Sequence, residues 1–147
     1  MRLTTKGKFA VTALLDIAIH GANSPVTLSE ISRRQSISTS YLEQLFVKLR
    51  RKGLVKSYKG PGGGYALAKT PHLIMVAEIV QAVDEILDAR TCRGMKSCRE
   101  NKQCLTHNLW DKLTTHVYDY LSQISLKDLV DQSSQPASKS QPITFVR

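Results

Sequence analysis

A run of four glycines and one proline, Gly60-Pro61-Gly62-Gly63-Gly64, restricts the fold more than any other feature of this sequence. Glycine weakens helices and strands, and it readily adopts the positive φ angles that tight turns need. The flanking residues, 54–59 and 65–68, are predicted to form two short strands that this turn connects. We therefore expect a β-hairpin with a glycine-rich tip.

Three helices are predicted before the hairpin. The apolar spacing indicates a first helix over 9–20, followed by a break at 21–25. A Thr-x-x-Glu capping box opens a short helix over 27–35. The next helix, 39–52, repeats apolar side chains at the spacing of one buried face, namely Leu42, Leu45, Phe46 and Leu49. Helix, tight turn, helix and hairpin follow one another in the order of a winged helix-turn-helix.

The second half is predicted to be helical at both ends and irregular between them. Helices are expected over 76–87 and 107–124, with a last short helix capped by Ser125. The segment 88–106 has no aromatic residue and too few aliphatic ones to build a core. Residues 132–147 are rich in Ser, Gln and Pro and are predicted to be a disordered tail. The predicted fold class is mainly α, with a small hairpin wing and a long helix.

The positive charge is confined to the first half of the chain. Residues 1–71 contain twelve Lys or Arg and three Asp or Glu, whereas residues 72–147 contain nine of each. The whole net charge of +9 therefore lies in the segment with the helix-turn-helix pattern. A basic half beside a neutral half favours a module that binds nucleic acid, here double-stranded DNA. The alternative is a charged face that contacts only solvent.

The candidate DNA contacts lie on the second helix of the motif and at the hairpin tip. In this type of motif, that helix enters the major groove with its N-terminal residues against the bases. Gln44 suits an adenine edge and Glu43 a cytosine amino group, while hydroxyls and lysines suit phosphates. The glycine tip lets the backbone approach the minor groove. The candidates are Ser38, Ser40, Tyr41, Glu43, Gln44, Lys48, Lys59, Gly60, Pro61 and Gly62.

Three cysteines and a histidine form a second constellation, Cys92, Cys98, Cys104 and His107, with the spacing Cys-x5-Cys-x5-Cys-x2-His. Thiolates select soft or borderline metals, chiefly zinc and iron–sulfur clusters. Structural zinc sites favour shorter spacings within a ligand pair, so the wider loops favour an iron–sulfur cluster, with zinc as the alternative. Nearby basic residues lower thiol pKa values and stabilise an anionic cluster.

The long helix carries a further signal. Its apolar stripe is too large for one small core, and it is predicted to pack against a second copy of the chain in a homodimer. The resulting organisation is a DNA-binding domain at 1–87, a cluster-binding loop at 88–106, a dimerisation helix with a short C-terminal helix at 107–131, and the tail at 132–147.

Targeting and enzymatic functions find little support in the sequence. The basic start and the apolar segment 9–19 resemble a secretory signal, but Asp16 interrupts it and no cleavage site follows. No apolar run is long enough to span a bilayer, so a cytoplasmic protein without membrane contact is expected. The glycine run lacks the Gly-Lys-Ser/Thr of a phosphate loop, and no other cofactor loop is present, so the chain is not expected to be an enzyme.

The residues resemble the IscR family of bacterial iron–sulfur cluster regulators over about 1–131. The matching stretches are MRLTTKGKFAVTALLDIA, SYLEQLFVKLRRKGLV, GPGGGY, AVDE and CLTHNLW, together with the Cys/His set. The resemblance implies a homodimer with a 2Fe–2S cluster on Cys92, Cys98, Cys104 and His107.

The resemblance also implies control, mainly repression, of cluster-assembly genes. In that family the apo form still binds a second class of sites, and Glu43 matches the residue linked to telling the classes apart. A nitric-oxide-sensing regulator of the same family and a zinc-stabilised DNA-binding protein are the alternatives.

Overall fold

The computed structural model describes residues 3–93, 95 and 102–135. The described elements, in chain order, are six helices, one hairpin and a 3-10 turn at Pro71–Leu73. The helices are α1 (Thr5–His20), α2 (Leu28–Gln35), α3 (Thr39–Arg51), α4 (Val76–Ala82), α5 (His107–Gln123) and α6 (Leu126–Ser133). The strands are β1 (Val55–Tyr58) and β2 (Gly64–Leu67). The prediction of a mainly α fold with a small hairpin is confirmed.

Local capping explains where the helix-turn-helix begins and turns. The Thr27 hydroxyl accepts a hydrogen bond from the Glu30 amide, and the Glu30 carboxylate accepts one from the Thr27 amide, which confirms the capping box. At the turn, Ser36 takes the left-handed φ of 55°, and the Ser38 side chain accepts from the Tyr41 amide. α2 and α3 are therefore separated by a tight turn, as the sequence predicted.

The hairpin is antiparallel, with Val55 opposite Leu67 and Tyr58 opposite Gly64. It is attached to the helices by a bridge in which Val26 and Tyr65 exchange both backbone hydrogen bonds, at 2.8 and 2.7 Å. Gly64 lies beside this bridge with φ +145°, and a Cβ there would meet the Val26 carbonyl oxygen at 2.6 Å. Glycine is therefore required at this position for both backbone conformation and space.

One hydrophobic core joins the helices and the hairpin. Phe46 and Leu14 are fully buried at its centre, and Leu126 of α6 is buried in the same cluster. The backbone of the α5–α6 junction pairs with the segment before α4 through a Met75–Ser125 bridge. α6 thus packs against α1 and the 3-10 turn, although it follows the long helix in sequence.

Two helix boundaries differ from the predictions by four residues or more. α1 begins at Thr5 rather than residue 9, and α4 ends at Ala82 rather than 87. The predicted end of this helix at 87 was wrong because Asp84 takes a left-handed φ of 57°, and Asp84 and Glu85 form tertiary hydrogen bonds. The predicted tail starts inside α6, which continues to Ser133, and residues 136–147 lie outside the described residues.

Candidate nucleic-acid interface and metal site

α3 presents a polar face opposite its buried stripe. Ser40, Glu43 and Gln44 are exposed, whereas Leu42, Leu45, Phe46 and Leu49 are buried. Ser38 is exposed in its capping position. The helix therefore displays hydrogen-bonding side chains along its first two turns, where a recognition helix contacts bases.

Tyr41 is more constrained than its neighbours. Its ring packs edge-on against Phe9 of α1, with ring centroids 5.8 Å apart and an interplanar angle of 85°. An aromatic pair of this kind orients the ring while leaving the phenol tip available for a hydrogen bond. Tyr41 thus ties the start of α3 to α1 and is only half-exposed.

Lys48, the last candidate on α3, forms an ion pair. Its Nζ donates to Asp84 Oδ2 at 2.7 Å, and about a third of the lysine side chain is exposed. The hydrogen bond and charge of Lys48 lower the pKa of Asp84, and the charges of Lys52 and Lys6 lower it further. The structure therefore places a carboxylate among three lysines of the basic half.

The wing tip is exposed throughout the predicted set, which comprises Lys59, Gly60, Pro61 and Gly62. Gly60 and Gly62 have φ angles of 86° and 73°, and a Cβ at either would meet nothing within 4 Å. These glycines therefore serve the backbone conformation rather than packing. A tip without side chains can approach a groove closely.

The Cys/His constellation is partly described. The sulfur of Cys92 lies 3.5 Å from Nδ1 of His107, and both residues are buried. Cys104 is half-buried and lines, with His107 and Trp110, a small cavity of about 70 Å³. Cys98 lies outside the described residues. Within residues 3–93, 95 and 102–135, no group of three or more His, Cys, Asp or Glu side chains is positioned to hold a metal ion.

The start of the predicted cluster loop is held by polar contacts with α5. The Arg90 guanidinium donates to both carboxylate oxygens of Asp88, at 2.8 and 2.9 Å, and to Asp111 Oδ1 at 2.7 Å. The Ala89 amide donates to Thr114 Oγ1 at 3.0 Å. The hydrogen bonds from Arg90 lower the pKa of Asp88 to about 2. These bonds fix the residues immediately before Cys92.

His107 reaches the same place from the other side, because it is the first residue of α5. Thr106, just before it, accepts a hydrogen bond from the Trp110 indole at 3.0 Å and lies 4.0 Å from the Cys104 sulfur. The thiol of Cys92 and the imidazole of His107, which are 15 positions apart in the sequence, therefore lie side by side in one buried location. A thiol and an imidazole are a donor pair that suits zinc and iron–sulfur centres.

Comparison with known proteins agrees with this geometry. The profile of the Rrf2 family, described as an iron-dependent transcriptional regulator, matches residues 3–132. The chain belongs to the Rrf2 family. Its Rrf2 relatives are DNA-binding transcription regulators and not enzymes.

Several of these Rrf2 relatives carry the name IscR. The HTH-type transcriptional regulator IscR of Photorhabdus laumondii is 54% identical over 131 residues, which cover 89% of this chain and 80% of that protein. The Pectobacterium atrosepticum IscR is 53% identical, with 89% and 80% covered. The resemblance predicted from the sequence motifs is therefore confirmed.

Solved Rrf2 structures share the fold. T. potens IscR superposes with a TM-score of 0.76 at 33% identity, covering 94% of this chain and 93% of that chain. CymR, the global cysteine regulator of B. subtilis, superposes with a TM-score of 0.78 at 28% identity, covering 90% and 98%. Both are similar to this Rrf2 chain along nearly their whole length.

The long helix of this Rrf2 protein leaves most of its apolar stripe uncovered. Leu109 and Tyr120 are 58% and 65% exposed, and Trp110 and Leu113 are also exposed. His107 is the only described α5 residue that is buried.

In the described part of the chain, no helix is both long and apolar enough to cross a membrane.

The sequence did not predict the contacts of several residues near the site. Asp84 and Glu85 lie within the helix predicted over 76–87, whereas Asp88 and Arg90 lie in the predicted cluster-binding loop at 88–106. The contacts of Asp84 and Glu85 depend on distant residues, so no local pattern could reveal them. The one available signal was the Asp-x-Arg spacing at 88–90, which allows a carboxylate and a guanidinium to pair across a bend.

Proposed function

We propose that this chain is a transcription regulator that senses iron–sulfur cluster status through a 2Fe–2S cluster on Cys92, Cys98, Cys104 and His107. It controls, and mainly represses, the genes for iron–sulfur cluster assembly in the cytoplasm. The single observation that carries this proposal is the buried approach of the Cys92 sulfur to His107 Nδ1 at 3.5 Å. The IscR relatives that are more than 50% identical to this chain support the same function.

The donor chemistry fits such a group. Thiolates bind iron–sulfur clusters, and one imidazole in place of a thiolate removes a negative charge and raises the reduction potential. When bound, the cluster supplies a redox-active group that also fastens the loop to α5. Because the ring must be neutral to bind metal, ligation by His107 would weaken at low pH. Cys104 borders the His107 cavity, where it would complete the described part of the ligand set.

Sequence recognition is assigned to α3 and the wing. α3 would lie in the major groove, with Gln44 bonded to an adenine and Glu43 accepting from a cytosine amino group. Glu43 is unfavourable beside any base without an amino donor, so it would tune site choice rather than strength. Ser38, Ser40, Tyr41 and Lys59 would contact phosphates, and the tip Gly60–Gly62 would follow the minor groove. Lys48 would lie beside the DNA backbone with its ammonium group paired to Asp84.

The DNA-binding unit is proposed to be a homodimer. The exposed stripe of α5 offers a contiguous apolar surface of the kind that marks a protein interface. Two copies related by a two-fold axis would place two α3 helices on a roughly palindromic operator. Binding of the cluster would then order the loop that connects the DNA-binding domain to α5.

The test begins with anaerobic purification, followed by iron and sulfide assays and a visible absorption spectrum. The expected sample is coloured and contains equal iron and sulfide. A colourless, zinc-loaded sample would contradict the cluster proposal. His107→Ala should lose the spectrum, whereas His116→Ala, an exposed histidine on the same helix, should keep it.

DNA selection from a random pool then tests regulation. The cluster-loaded and apo forms should enrich different sequences. Glu43→Ala should change the sequences that the apo form enriches. If the protein enriches no sequence and shows no salt-dependent binding, it is not a DNA-binding regulator.

A further inference from the structure

The segment from Asp84 to Cys92, here called the strap, connects the end of α4 to the candidate cluster site. At its start, Asp84 Oδ2 accepts a hydrogen bond from Nζ of Lys48 at 2.7 Å. Lys48 lies on the recognition helix and Asp84 does not, so the bond joins the strap to α3. Asp84 reaches this position by adopting a φ of 57°, a conformation that few residues tolerate.

The next residue holds Asp84 in place. Glu85 Oε2 accepts from the Gly7 amide at 3.0 Å, and Oε1 accepts from the Thr4 amide at 3.2 Å. The Thr4 hydroxyl also donates to Glu85. A carboxylate at the start of α1 satisfies amides that have no partner within the helix, and it is favoured by the helix dipole. This anchor positions Asp84 independently of Cys92, the first candidate cluster ligand, which lies eight residues further along the chain.

The ion pair competes with DNA. A lysine contributes to DNA binding by neutralising a phosphate and releasing a counterion. Lys48 cannot make full use of its charge for a phosphate while a fixed carboxylate lies 2.7 Å from its Nζ. Lys6 and Lys52 lie close enough to lower the pKa of the same carboxyl group. Asp84 therefore reduces the positive charge that this part of the surface offers to DNA.

We propose that Asp84 is a positioning residue that holds Lys48 away from the DNA backbone and so limits sequence-independent affinity. This inference rests on the proposed function, because it requires α3 to lie against DNA. Since phosphate contacts carry no sequence information, Asp84 limits binding to every sequence by the same factor. Its anchor at α1 makes this limit equal in the apo and cluster-loaded forms.

Asp84→Asn is the direct test, since asparagine tolerates the left-handed conformation and has nearly the same shape. Because an exposed ion pair contributes only weakly, releasing Lys48 should tighten binding by up to about five-fold. The slope of log affinity against log salt should steepen by about 0.9, the contribution of one phosphate contact. Fluorescence anisotropy measures both, on the duplex most enriched by the wild-type protein and on a scrambled duplex.

Asp84→Asn/Lys48→Met should return the salt slope to that of the wild type, because it removes the lysine that was released. Asp131→Asn is the matched control. It removes a carboxylate bonded to Lys127 on α6 and changes the net charge equally, so it should leave the slope unchanged.

The proposal is overturned if Asp84→Asn leaves the slope unchanged, or if the steeper slope persists in the double variant. A gain confined to the enriched duplex would also overturn it, because Lys48 would then read bases. If the wild type itself enriches no duplex, the proposed function fails first. These outcomes separate the two proposals.

Discussion

Asp88→Asn should loosen the attachment of the proposed cluster-binding loop while leaving the DNA-binding fold intact. The Asp88 carboxylate accepts two hydrogen bonds from the Arg90 guanidinium, one from the Arg90 amide at 2.8 Å and one from Thr114 at 3.3 Å. Its side chain is only 11% exposed. Asparagine keeps the shape but loses the charge, and its NH2 group cannot replace the second oxygen that accepts from Arg90.

The pKa of Asp88 sets the magnitude. Its fall from 3.8 to about 2 corresponds to about 2 kcal/mol of interaction with the ionised carboxylate. Removing the charge forfeits most of that energy and frees the residues before Cys92. We therefore expect the variant to lose iron faster by on the order of 10- to 30-fold, within the range seen when residues behind metal ligands are replaced.

The assay is the transfer of iron to a chelator from anaerobically reconstituted protein, followed by the loss of visible absorbance. Asp119→Asn removes an exposed carboxylate from the same α5 helix and should release iron at the wild-type rate. Hydrogen exchange of the Ala89 amide, which donates to Thr114, supplies a readout without a cluster. Equal iron release and equal Ala89 exchange in the variant and wild type would refute the role of this attachment.

Acidification should have the same effect as the substitution. A carboxyl group with a lowered folded-state pKa contributes stability above its unfolded pKa, and that contribution is lost as pH falls through the folded value. For Asp88 the loss should occur between about pH 4 and pH 2, and protection of the Ala89 amide should fall in that window. In Asp88→Asn apo protein, this pH dependence should be absent.

Three further predictions concern stability and assembly. Asp16 is a buried carboxylate bonded to Arg34 and Gln35, and Asp16→Ala should lower the free energy of unfolding by about 3 kcal/mol in urea titrations, against less than about 0.5 for exposed Asp131→Ala. Gly64→Ala should destabilise the protein by about 2 kcal/mol or more, seen as a lower melting temperature, because its φ and the nearby Val26 carbonyl exclude a Cβ. Leu109→Asp should convert the proposed dimer to a monomer in analytical ultracentrifugation, whereas His116→Asp should not; a monomeric wild type would contradict the dimer proposal.

The sequence predicted most of the DNA-binding half because its signals are local. The Thr27–Glu30 capping box, the Ser38 cap and the apolar stripe of α3 each depend on residues within a few positions of one another. The glycine run likewise specified the hairpin, since few other structures accommodate it. These elements form where local hydrogen bonding and hydrophobic periodicity agree.

The strap was predicted poorly for the opposite reason. Residues 83–87 continue the helical pattern of α4, yet Asp84 bonds to Lys48, 36 positions away, and Glu85 bonds to Gly7, 78 positions away. Tertiary hydrogen bonds to a lysine and to a helix start outweigh a weak local preference for helix. The short helix α6 and its Ser125 cap were predicted, but not that Leu126 completes a core built mainly from the first half.

The sequence by itself determined the elements, the segregation of positive charge and the four candidate ligands, because these are properties of composition and spacing. Only the tertiary structure decided that Cys92 meets His107, that Arg90 and Asp88 secure the loop to α5, and that Asp84 engages a lysine of the recognition helix. Such contacts arise from packing segments that are distant along the chain. Their geometry is set by the shared core, so no local pattern can encode it.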